Sequence, residues 1–442
     1  MILSARRYAH SVGENTMTPI DALIEKAPKV HQDALFKEKE SYERIHDTTK
    51  SVLAEVGIET KNRDVISILE GTGLAGYDSS IGRIFLLPEL VDQCLSSAAK
   101  TFQGDEGQNT LGIGGIPPFL YREADRYPMP ATYEELEHII EVVQENLDVV
   151  RFLSQPVKVQ KGDPLKCNQI MDRLSGCIKV TCSAYMEDDA AVKWFSGRED
   201  WHDSICGVKS PLICMDNMMD ALINSARAGN NLRLTTMPLA GRTAPQSPEA
   251  CIVITHAEVM FMLAVAQTIN PGMLCMFGGM PCTTRPDGDL DYSNDAMNLL
   301  NVAVARLNMW VTGLPTVQSG GSTSEKTPGE PALLDGKRGR KILCDFGVHN
   351  ARHCFGVLDN LNFFSEDAFQ HDCQAHREYL ESDRDASELK PLHLPQDSRA
   401  FDVIQRVASC DYHTDSHTTA NLGAFDDWAR VVIEKGLVPE KR

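Results

Sequence analysis

From about residue 110 onward the chain repeats one pattern eight times: a short apolar or β-branched run, a loop rich in Gly, Pro, Asp or Asn, then an amphipathic helix. Strand candidates lie near residues 111–120, 148–154, 178–185, 211–216, 232–237, 272–278, 310–317 and 353–358. Helix candidates start near Thr132, Asp163, Asp188, Met218, Ser247, Asn294, Glu330 and Ser365. Near-continuous apolar strands alternating with helices require a parallel sheet covered by helices. Eight such units close on themselves, so the expected fold class is α/β, a (β/α)8 barrel. The first run, LGIGGIPPFL, carries glycines and prolines that disfavour a central strand. Without it the alternative is an open seven-stranded sheet.

Upstream, the pattern changes to a mostly helical extension. Leu35 to Val56 has helical apolar spacing and stops at Gly57, and Asn62 to Glu70 is a second helix. Gly82 to Leu87 is a strand candidate, and Pro88 starts a helix running toward Ala99. The expected division is an N-terminal extension over residues 1–109, the barrel over 110–385 and a C-terminal segment over 386–442 that packs on the barrel.

Charge and cysteine usage bound the partners and the compartment. Lys plus Arg number 43 against 62 Asp plus Glu, a formal charge of −19. That balance argues against a nucleic-acid backbone or an anionic membrane as the main partner, and is compatible with a cationic ligand. The 13 cysteines form an odd set. Cys182, Cys214, Cys275 and Cys354 lie in apolar runs, where a buried thiol behaves as a small hydrophobe. The first residues lack an apolar signal core, and the apolar run Ala257 to Ala266 is too short to span a bilayer and reads as a buried helix. A cytoplasmic protein with reduced thiols is expected.

In such a barrel chemistry sits at the carboxyl ends of the strands. Lys179 opens its strand, which argues against an imine-forming lysine there. The strand ends collect Gln155, Tyr185, Met186, Asp216, Asn217, Phe277, Gln318, Ser319, Asp359 and Asn360, with Gly278 and Gly279. This set is acidic, aromatic and amide-bearing, and suits a cation that cannot donate hydrogen bonds. Capping of the following helices is the competing reading for Asp216 and Asp359. The glycine loops at Gly278-Gly279 and Gln318 to Ser324 read either as close approach of a ligand to backbone or as tight turns. The acidic loop Thr283 to Asn294 has the character of a lid, but its twelfth position counted from Asp287 is Asn298, not the glutamate of a calcium loop. His349 and His353, like His413 and His417, are four apart without the helical context of a zinc pair, so no bound metal is expected.

The segment IHDTTKSVLAEVGIETKNRDVISILEGTGLAGYDSSIGRIFLLPELVDQCLSSAAKTF resembles the opening of the trimethylamine methyltransferase (MttB-like) family. The stretch from Gly112 to Val150, the FGGMPCTTRPDGD and GLPTVQSGGSTSE loops and the closing HTDSHTTANLGAFDDW are similar to it as well. The resemblance implies a TIM barrel that moves a methyl group from a methylated amine to the cobalt of a corrinoid carried by a separate protein. The chain contains only the twenty standard residues, so it resembles the branch without pyrrolysine, whose activities include demethylating glycine betaine and related quaternary amines. Combined with barrel position, this gives Asp216 and Asp359 facing the ammonium as catalytic candidates, and Tyr185 and Phe277 as aromatic walls. Gln318, His349 and Asn360 would hold a substrate carboxylate or hydroxyl, and Gly279 and Gly320 would let the corrin ring approach. The expected partners are the corrinoid-binding protein, the amine and a second copy of the chain. The competing functions are a barrel lyase or isomerase acting on a phosphorylated substrate, and a non-catalytic betaine-binding barrel.

Overall fold

Eight parallel strands follow one another around a closed wall: β1 (Thr110–Ile113), β2 (Phe152–Leu153), β3 (Lys179–Thr181), β4 (Trp201–Ile205), β5 (Leu232–Thr236), β6 (Cys275–Gly279), β7 (Gln318–Ser319) and β8 (Asn350–Phe355). Strands β1 to β6 pair in succession, β7 pairs with β8, and β8 returns to β1 through Asn350 opposite Thr110. The last gap is closed just before β7, where Phe277 N–H donates to Pro315 O at 2.8 Å and Val317 N–H to Phe277 O at 2.8 Å. The expected (β/α)8 barrel is therefore present. The computed structural model describes residues 19–100, 110–122, 128–181, 193–194, 196–286, 288–348, 350–382 and 390–409.

The helix starts follow local chemistry. Thr132 closes a capping box with Glu135, and Asp163, Ser247, Asn294 and Ser365 each accept a backbone N–H from the first turn that follows. These are the positions at which the sequence predicts helices to begin.

Three strands differ from expectation. The fourth is Trp201–Ile205, not residues 211–216. Its WHDSI sequence hides a strand because His202 and Ser204 face a polar interior. Ile213–Cys214 instead pairs with Ile58–Glu59 in a separate five-stranded sheet. The seventh strand lies at 318–319, because the apolar run from Trp310 completes a helix whose final π turn, Asn308–Thr312, ends at Gly313. The first candidate divides into β1 and Phe119–Tyr121, and the latter pairs with Phe363–Ser365 in a three-stranded sheet built from the loops after β1 and β8.

The N-terminal extension covers one side of the barrel. Helix Lys29–Ser51 continues as a π turn over Val52–Val56 and stops at Gly57, whose φ of +70° and close approach to Ile84 O (2.6 Å from where a Cβ would sit) exclude a side chain. Helices Lys29–Ser51, Arg63–Glu70 and Pro88–Ser97 pack on barrel helix Pro248–Ile269. That helix is buried from Pro248 to Gln267, being enclosed by the barrel on one side and the extension on the other. Its apolar length is thus the signature of a core element.

Candidate active site

Strand parity decides which side chains enter the barrel. Phe152, Met276 and Val317 form an apolar floor. Above it stands Arg233, fully buried on β5, with its guanidinium 5.6 Å from the centre of the Phe152 ring. Its Nε and Nη2 donate to Ser204 Oγ at 3.2 and 2.6 Å, and its Nη1 has no partner. Gly278 makes room for it, since a Cβ there would lie 3.0 Å from Arg233 Cγ and 2.7 Å from Thr235 Cγ2.

Nearer the opening, half-buried Arg352 of β8 places Nη2 3.0 Å from Met280 Sδ. His353 follows it at φ +65°, where the register between β8 and β1 shifts. A non-glycine residue at positive φ is strained, and here the irregularity sends the imidazole to the mouth. Its Nδ1 lies 2.7 Å from Ser319 Oγ, its ring meets Tyr292 edge-on at 6.4 Å, and its other side abuts Gly115. Burial, then the charges of Arg352 and Arg233, hold His353 well below the usual histidine range, so it is neutral at pH 7. Burial also presses against the charged form of Arg233 and Arg352 adds repulsion, while Asp203 favours it. Arginine's ordinary value is high enough that the guanidinium stays charged.

Behind the wall, Glu258 of helix Pro248–Ile269 gathers the ends of β4 and β5. It accepts from Ser210 Oγ at 2.7 Å, Leu212 N at 3.0 Å and Thr236 Oγ1. Burial pushes its carboxyl up to about 7. The extension reaches the same helix through a buried contact of 2.9 Å between His46 Nδ1 and His256 Nε2. Burial lowers both rings, His46 to about 4, so the pair is uncharged near neutrality.

The residues expected from sequence fall in different places. Asp216 is exposed in the first turn of helix Asp216–Ala228, outside the barrel mouth, because the fourth strand ends eleven residues earlier. Phe277 points outward and stacks on His256 at 5.4 Å. Gly279 and Gly320 also face the helical layer, where a Cβ would meet Thr255 and Phe277, or Asn298 and Leu343. Gln318 is buried and donates to Thr316 Oγ1 within its own strand end. Asp359 and Asn360 sit in the turn after β8 at positive φ. Asp359 accepts from Asn362 Nδ2, and Asn360 Oδ1 accepts from Tyr292 N–H and Ser324 Oγ, tying together the loops after β6, β7 and β8. Tyr185 and His349 lie outside the described residues, as do Met186, Asp287, His413 and His417. Among the described residues no group of three or more His, Cys, Asp or Glu side chains is placed to hold a metal.

The interior is thus basic where the strand ends suggest acid. Strand ends do not point to Arg233 and Arg352, which sit inside strands, in NLRLTT and NARHCF, rather than in the loops that follow. An arginine flanked by leucines in a strand covered on its outer face was the available signal. Tyr292 lies within the loop read as a lid, and Ser319 at a predicted strand end.

Residues 179–425, more than half of the chain, match the trimethylamine methyltransferase (MTTB) family. The chain belongs to that family. It is 24% identical over 439 residues to the glycine betaine methyltransferase of Desulfitobacterium hafniense strain Y51, covering 90% of this chain and 88% of that protein. It is 22% identical over 334 residues to the trimethylamine methyltransferase MttB of D. hafniense strain DSM 10664 / DCB-2, covering 66% and 64%. Among solved structures, the monomethylamine methyltransferase MtmB of Methanosarcina barkeri aligns with a TM-score of 0.48 at 9% identity, covering 95% of this chain and 98% of that one. As a family member whose residues are all standard, the chain fits the branch without pyrrolysine.

Proposed function

We propose that this protein transfers a methyl group from a quaternary or tertiary methylated amine, such as a betaine, to the corrinoid of a separate protein. The observation that carries this reading is the match along 90% of the chain to a glycine betaine methyltransferase. The corrinoid is the acceptor substrate, held by its own protein, and its Co(I) supplies the nucleophile that takes the methyl group. The amine nitrogen keeps the bonding pair and leaves as a neutral tertiary amine, so a quaternary donor needs no proton from the enzyme.

The chain's own residues then have two tasks, to orient one methyl toward the opening and to keep water from the reacting centre. Tyr292 and the thioether of Met237 offer polarisable surface to a methylated ammonium at the mouth. Neutral His353, fixed by Ser319, presents no charge that would repel it. The mouth reaches solvent at Arg352, Cys206 and Met237, which suits presentation of a group by another protein. A cytoplasmic setting, in which the buried thiols stay reduced, and a homo-oligomer belong to the same proposal.

The decisive assay follows the cob(I)alamin spectrum as it is methylated, with glycine betaine, carnitine, proline betaine, choline and trimethylamine as donors. Methylation by at least one of them is expected. Failure with all five, for a protein that binds one of them, overturns methyl transfer in favour of a binding function.

A further inference from the structure

Among the described residues three arginines are fully buried, and two of them are neutralised. Arg306 is paired with Glu38 at 2.8 Å and Arg340 with Asp372 at 2.8 Å. Arg233 is the exception: among the described residues no carboxylate pairs with it, Ser204 Oγ takes two of its donors, and Nη1 points to nothing. Asp203 adjoins Ser204 on β4 and its charge favours the Arg233 guanidinium, but it packs toward the helical layer and forms no ion pair with Arg233, and burial pushes its carboxyl up to about 7. Arg352 brings further positive charge toward the same interior.

A buried guanidinium without an ion-pair partner is strongly disfavoured by desolvation, and a planar donor fork is matched to a carboxylate. Folding alone does not account for one placed where an apolar residue would pack on Phe152 at lower cost. A ligand that supplies the anion does. We propose that Arg233, with Arg352 nearer the opening, forms an anion subsite that takes the carboxylate of the methyl donor. The donor is accordingly a zwitterion, a methylated amine bearing a carboxylate, bound with its anionic end down the barrel and its methyl groups toward the mouth. Arg233 is a specificity residue in this scheme and touches none of the transferred atoms. The inference rests on the methyl-transfer reading for the identity of the donor, and on Arg233 alone for the subsite.

Isothermal titration calorimetry of the full chain separates the two. Glycine betaine and choline share a trimethylammonium group and differ in carboxylate against hydroxyl. Wild type is expected to bind glycine betaine at least about tenfold more tightly than choline, a difference of about 1.4 kcal/mol. Arg233→Gln is expected to bring that ratio close to one, and Arg233→Lys to restore part of it. Without ligand, Arg233→Gln is expected to melt at or above the wild-type temperature, since it removes an unpaired buried charge; a merely structural arginine would lower it. If Arg233→Gln does not fold, half-exposed Arg352→Gln carries the test, and a fall in the same ratio supports the subsite. Equal binding of choline and glycine betaine by wild type, retained discrimination in the Gln variants, or a preference for inorganic phosphate over both overturns the proposal. Discrimination without methylation of cob(I)alamin leaves the subsite standing and removes the enzyme reading. Methylation from choline as fast as from glycine betaine does the reverse.

Discussion

Glu38 and Arg306, 268 residues apart in sequence, form a two-oxygen ion pair at 2.8 and 3.0 Å in the interior. Arg306 also donates to Phe346 O and Lys390 O, and Glu38 accepts from Tyr42 Oη and Leu392 N. One buried pair therefore joins the N-terminal extension, a barrel helix and the segment that begins at Lys390. Burial raises the Glu38 carboxyl, against the pull of Arg306.

Removing one partner strands the other, so Glu38→Gln is expected to lower unfolding free energy by about 3 kcal/mol. Replacing both, as in Glu38→Leu with Arg306→Met, is expected to recover most of that loss, because the desolvation burden disappears together with the attraction. Equilibrium denaturation of the single and double variants measures both.

This pair shows what kind of information sequence withholds. Caps at Thr132, Asp163, Ser247, Asn294 and Ser365 are local, since a side-chain oxygen serves a backbone N–H two or three residues on, and all were readable. The eightfold alternation was readable for the same reason. The fourth strand was not, because polar His202 and Ser204 make WHDSI look like a loop unless the barrel interior is known to be polar. The site suffered from a related error. Apart from the first and fourth strands, the sequence places strand ends to within a few residues, whereas inward or outward direction flips with every residue. Phe277 and Gly279 thus fall on the helix side, and Arg233, three residues before the end of its strand, faces the barrel interior.

Glu258 makes stability depend on pH. Its carboxyl is raised to about 7 in the folded chain, above the ordinary glutamate value, so the folded state binds the proton more tightly. The resulting stabilisation is complete below about pH 4.3 and is lost as pH rises toward 7. Its size is on the order of 3 kcal/mol, from roughly 2.5 units at 1.36 kcal/mol each. His46, lowered to about 4, acts with the opposite sign and loses its contribution as pH falls below 6.5. Glu258→Gln cannot titrate but keeps the contacts to Ser210 and Leu212. The free-energy difference between variant and wild type is therefore expected to move in favour of the variant between pH 5 and pH 8. Unfolding curves at several pH values test this, and a constant difference would show that Glu258 does not titrate in that window.

Two glycines separate the inside of the barrel from its outer wall. Gly115 has φ of +142°, and a Cβ there would lie 2.7 Å from His353 Nε2. Gly115→Ala must push the imidazole away from Ser319, at the mouth, so the expected effect is a loss of methyl transfer of at least about tenfold, equivalent to 1.4 kcal/mol in the barrier. Gly279 faces the opposite way, and a Cβ there would lie 2.6 Å from Thr255 Cγ2 and 2.7 Å from Phe277 Cε1. Gly279→Ala overpacks the contact between β6 and helix Pro248–Ile269, which is expected to lower stability by about 1–3 kcal/mol while the surviving folded protein keeps its turnover. Denaturation midpoints and kcat/KM for both variants settle the matter. If Gly279→Ala instead lost turnover at unchanged stability, the outward placement of Gly279 would be wrong, and a role in admitting the corrin ring would return.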